Sequence, residues 1–159
     1  KKDADQWLLN QVAEIQPVLL ALDAPLSLPG KYVGKGEDYF YRAADRALKA
    51  MSPMFLGGLT ARAMRLKELL ETDGFQIIEA YPGALARELQ LKDLGYKGSV
   101  KNVGAVLPKL LEQAPPFNLQ EPPTNWHQLD ALLAWLIGYR YSTQTAIAYG
   151  NEEEGQVFV

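Results

Sequence analysis

Apolar residues in this chain fall into two patterns, short unbroken runs and longer stretches at helical spacing. Residues 18–22 (VLLAL) and 75–78 (FQII) are short, apolar and partly β-branched, as expected of strands buried on both faces of a parallel sheet. Trp7, Leu8, Val12 and Ile15 recur near helical spacing, which predicts a helix over 4–15 leading through Gln16-Pro17 into the first strand. A glycine-rich, charged stretch at 30–38 reads as a loop. In the helix predicted over 39–51, Tyr41, Ala44, Leu48 and Met51 share one face and Arg42, Asp45, Arg46 and Lys49 the other.

The segment SPMFLGGLT breaks that helix, and another is expected over 61–70, stopped by Asp73-Gly74. Beyond the second strand come helices over 83–91 and 103–113, then a connection over 114–125 with four prolines. The last helix, 126–141, is apolar around most of its circumference, as expected of a helix covered on several sides. A closing strand is expected over 155–159. Three strands make a short sheet for an α/β fold, and on this reading the sheet is incomplete.

A length of 159 residues fits a single domain, 1–159, and 48% hydrophobic content supports a globular core. With no cysteine, disulfides, thiolate metal sites and cysteine nucleophiles are excluded. No apolar run reaches the roughly 20 residues that span a bilayer, and the first residues lack the order of a secretory signal. The expectation is a soluble, cytoplasmic protein without membrane partners; nothing indicates its oligomeric state. The net charge is −3, yet residues 31–67 hold eight Lys or Arg against three acids, leaving −8 on the remainder. Cations are therefore concentrated just after the first strand.

Both predicted strands end in an acid, Asp23 in LALDAPLSLP and Glu79 in FQIIEAYPG. Ligands of open α/β sheets bind at the carboxyl ends of strands. A turn-forming Asp and a solvated Glu are the structural alternatives. Asp130 lies in the second turn of an apolar helix, beyond capping reach from Thr124 or Asn125, where a carboxylate needs a cation or hydrogen-bond donors. Three carboxylates with oxygen-only ligation suit Mg²⁺ or Mn²⁺, and such ions activate water against phosphodiesters. Arg42, Arg46 and Lys49 are candidates for phosphate contacts, set against the ordinary alternative of a solvated helix face with an Asp45–Lys49 pair. His127, the single histidine, excludes a His-rich zinc site and reads as structural. No nucleophile elbow, Walker loop or dinucleotide fingerprint is present, so no nucleotide cofactor is expected.

LDAPLSLP, YRAADRALK, EAYPGAL, LDALLAW and EEEGQVFV, in that order over residues 18–159, resemble the domain-of-unknown-function family 429. That family is described as predicted nucleases with a ribonuclease H-like fold. The resemblance implies a mixed central sheet flanked by helices, with Asp23, Glu79 and Asp130 at the positions of the characteristic acids. Arg42 and Asp45 match its R-x-x-D element, and Glu154-Gly155 a terminal E-G that reads as a turn before the closing strand. It further implies an amino-terminal β-hairpin carrying a central Asp, whereas this sequence starts at Lys1 in the following helix. Two functions follow: a Mg²⁺- or Mn²⁺-dependent nuclease, or a non-catalytic domain of that fold that binds protein or nucleic acid.

Overall fold

The computed structural model describes residues 3–159. Its elements are α1 (Ala4–Ile15), β1 (Leu19–Leu22), α2 (Ala43–Leu48), α3 (Pro53–Leu56), α4 (Gly58–Thr72), β2 (Gln76–Ala80), α5 (Pro82–Glu88), α6 (Val103–Leu111), α7 (Trp126–Ser142), β3 (Ala148–Asn151) and β4 (Gly155–Phe158). The class is α/β, with a four-stranded mixed sheet in the order β1-β2-β4-β3 and flanking helices.

β1 and β2 run parallel, with Leu19 opposite Gln76 and Leu22 opposite Glu79. Parallel neighbours need a crossover, and α2, α3 and α4 provide it. β3 and β4 form a hairpin that closes with reciprocal backbone bonds between Ile147 and Val159, at 2.9 and 3.1 Å. β3 is absent from the sequence expectation because AYGN carries a glycine and an asparagine, both poor strand formers.

The described chain divides into two compact units. One comprises residues 3–79 with Tyr149–Val157 and holds nearly all of the sheet with α1 to α4. The other, Ala80–Ala148 with Phe158–Val159, is built on α7 packed against α5 and α6. Leu129, Leu133, Leu136 and Ile137 of α7 are fully buried, as are Leu85, Leu91, Val106 and Leu110. The proline-rich stretch 114–125 forms neither helix nor strand, as its composition predicts.

Two helices depart from the periodicity. α2 is only six residues long because Arg42 stands outside it as the N-cap and Lys49 ends it at φ +51°. The supposed break after it contains α3, since Ser52 caps Met54 N–H and Pro53 occupies the first turn, where its missing N–H is harmless. Among the described residues, no helix is long and apolar enough to cross a membrane.

Candidate functional site

Beneath the carboxyl ends of β1 and β2 lies a buried charge network centred on Arg42. Its guanidinium has five N–H donors, and every one has a partner. Nη1 and Nη2 donate to the two Glu79 oxygens at 2.7 Å each, and Nε and Nη2 to Asp45 at 3.1 and 2.7 Å. The remaining Nη1 hydrogen reaches Ser27 Oγ at 2.8 Å. Asp45 also accepts from Arg42 N–H at 2.8 Å, and Glu79 from Leu26 N–H at 2.7 Å. Burial alone would pull the Arg42 guanidinium down, but hydrogen bonds and charge from Glu79 and Asp45 outweigh it and raise it above its ordinary value.

These contacts correct the helix-face reading of α2. Arg42 is 1% exposed and Asp45 2%, so neither lies on a solvated face. Asp45 serves Arg42 and not Lys49, and Arg42 has no donor left for a phosphate. The sequence misleads here because Arg42 precedes the helix, in extended backbone at φ −79° and ψ 161°, so helical phasing does not govern where it points.

Glu154 forms a second tie in the same unit. Its oxygens accept from Gly30 N–H and Ala43 N–H, both at 2.9 Å, and its carbonyl accepts from Ser27 Oγ. A Cβ on Gly30 would lie 2.2 Å from Glu154 Oε1, so only glycine permits this approach. Gly155 turns the chain at φ +92°, and a Cβ there would meet Ser27 Oγ at 2.4 Å. The Glu154-Gly155 turn is thus tied to Gly30, Ala43 and Ser27. Ser27 and Gly30 are not among the candidate site residues of the sequence; their only signal is position in the connection after β1.

Asp23 follows β1 directly and is exposed at its carboxyl end. Register explains why it is not merged into the Arg42 network. Leu22 and Glu79 are paired and share a sheet face, whereas a residue one step further takes the alternate one. Asp130, in the other unit, is 6% exposed. It accepts from Tyr96 O–H at 2.5 Å and from Lys97 Nζ at 2.9 Å, which supplies the donor and cation that its apolar helix demands. Asn125 caps α7 by accepting from Gln128 N–H at 3.0 Å, and His127 is exposed near the helix start.

Of the predicted phosphate contacts, Arg46 and Lys49 remain on the surface. Arg46 bonds to Asp38 and lies 4.7 Å from the centroid of the Tyr41 ring. Asp38 is held down at about 2 by backbone N–H donors of Tyr41 and Phe40, and then by Arg46.

Among the described residues, no group of three or more His, Cys, Asp or Glu side chains is placed to hold a metal ion. Glu79 fits the ligand role poorly, because it is buried and three of its carboxylate's roughly four lone-pair sites accept from Arg42 and Leu26 N–H. Asp23 is an exposed carboxylate, and carboxylate oxygens are the donors that Mg²⁺ and Mn²⁺ take. No family model, curated protein or solved structure matches the chain.

Proposed function

We propose that the chain is a ribonuclease H-like domain of a metal-dependent nuclease, with Asp23 as an acid of its site. The observation that carries this reading is the placement of an exposed carboxylate at the carboxyl end of a parallel strand, on a connection whose following residues are pinned by buried charges. Buried ion pairs are costly and seldom stabilise more than an apolar core would. Their use to fix the Leu26–Gly30 connection is consistent with a site that needs that connection held still. The family resemblance supplies the reaction class.

A divalent cation, Mg²⁺ or Mn²⁺, would supply an activated water and neutralise charge on the phosphodiester. Asp23 is the residue that would hold it, while Glu79 is a positioning residue acting through Arg42 and Leu26 N–H. Asp130, which pairs with the half-exposed Lys97 and with Tyr96, is the second candidate acid. The test is cleavage of labelled DNA and RNA in Mn²⁺ by the wild-type protein and by Asp23→Asn and Asp130→Asn. Loss of at least about 100-fold in the Asp23 variant is expected. Equal cleavage by wild type and both variants overturns the assignment.

One observation favours the binding-module reading: Glu79 and Asp130 are both occupied by internal partners. Calorimetry with Mn²⁺ separates the two. Binding that disappears in Asp23→Asn supports the nuclease, and its absence in the folded wild-type protein supports the module.

A further inference from the structure

Aromatic side chains ordinarily seek the core, yet Tyr32, Tyr39, Phe40 and Phe55 are each more than half exposed. They are not scattered. Phe55 lies 6.0 Å from Phe40 and 6.1 Å from Tyr41, and the Arg46 guanidinium extends this group over the Tyr41 ring. Tyr32 and Tyr39 meet at 6.1 Å, with Lys31 Nζ 5.6 Å from the Tyr39 ring centroid. Rigid supports lie beneath them, since Ser52 O–H bonds to the Phe40 carbonyl and Asp38 accepts from Phe40 and Tyr41 N–H.

Exposed rings with cations alongside form a stacking platform for bases joined by phosphates. Charge favours the same occupant. Apart from the buried Arg42–Asp45 pair, residues 30–50 carry Lys31, Lys35, Arg46 and Lys49 against Glu37 and Asp38, and with Glu153 at 3.6 Å from Lys35 the surface keeps a positive excess of one on a chain whose net charge is −3. A protein-binding patch is depleted of lysine at its centre, whereas here Lys31 stands over the Tyr39 ring. From this geometry we infer that the Tyr39–Phe40–Phe55 surface binds single-stranded nucleic acid, its rings stacking on bases and Arg46 and Lys49 meeting phosphates.

The inference rests on the nucleic-acid reading above, and it names the substrate class as single-stranded. Bases in a duplex are already stacked on each other and present no face to a ring. Binding is therefore sequence-tolerant, salt-dependent and independent of cleavage.

The experiment is fluorescence anisotropy in EDTA with a labelled oligothymidylate and a labelled duplex of equal length. The single strand is expected to bind more tightly, and Phe40→Ala/Phe55→Ala to weaken it roughly tenfold or more. Lys49→Glu, on an exposed side chain, tests the surface without disturbing the rings and lowers the salt slope by about one. Circular dichroism establishes that each variant is folded. Equal affinity for duplex and single strand, wild-type binding by both variants, or no binding by the wild-type protein overturns the inference, as does ring-dependent self-association without oligonucleotide binding. Cleavage with unaltered binding in both variants sinks this inference alone. Ring-dependent binding without metal-dependent cleavage sinks the nuclease reading alone.

Discussion

Removing the Arg42 guanidinium strands two carboxylates in a space that excludes water, because Glu79 and Asp45 both depend on it. Breaking a buried pair from one side costs about 3–5 kcal/mol. Arg42→Met is therefore expected to lower the unfolding free energy by about that amount in urea titration. Arg42→Lys is expected to rescue little of it, because an ammonium cannot form two bidentate pairs. Gly30→Ala tests the second tie. Its Cβ would lie 2.2 Å from Glu154 Oε1, so one of the two must move. A loss of about 1–3 kcal/mol is expected for such overpacking, read as a lower thermal midpoint.

At the scale of elements, the turn before α2 is built on Asp38. Its folded value of about 2 lies below the ordinary 3.8. A depressed carboxylate contributes stability that is fully present above 3.8 and is lost as pH falls through about 2. The Asp38 side-chain carboxyl carbon is expected to titrate near 2 by NMR. Backbone donors from Tyr41 and Phe40 contribute more to the depression than Arg46 does. Arg46→Ala should therefore shift the midpoint only part of the way back. A full return to the ordinary value would mean that the turn itself is not formed.

α2 also shows how far an element is legible from periodicity. The pattern locates a helix near the right residues, and it assigns Ala44 and Leu48 correctly to the buried side. It fails for Arg42, whose extended backbone lies outside the helical repeat, and for Asp45, which turns back to cap the same residue. α7 is the converse case. Its apolar circumference predicts burial, and the need of Asp130 for a donor and a cation predicts partners such as Tyr96 and Lys97 in kind, though not by name.

On the scale of the whole molecule, the protein has a rigid charged network in one compact unit and a helical apolar core in the other. The proline-rich connection, residues 114–125, belongs to the second unit and forms no helix or strand. Amides from Phe117 to Glu121 are expected to exchange with deuterium fastest in this unit, while those of Leu133 and Ile137 in α7 exchange slowest. Hydrogen-exchange mass spectrometry checks this; slow exchange across the connection would show that its backbone is bonded.

What the sequence determined by itself is whatever depends on neighbours along the chain. Two apolar runs ending in acids, a capped apolar helix and a proline-rich connection are all local, and each forms the kind of element its pattern predicts, although Val18 is exposed and β1 is only partly buried. Partner choice is not local. Glu79 and Asp23 look equivalent in sequence, because both end an apolar run. Only the fold brings Arg42 to Glu79 across 37 positions, and Gly30 to Glu154 across 124. Strand register then sets Glu79 opposite Leu22 and leaves Asp23 one step beyond. A carboxylate's role follows from which donors reach its lone pairs, and that is a property of the folded chain.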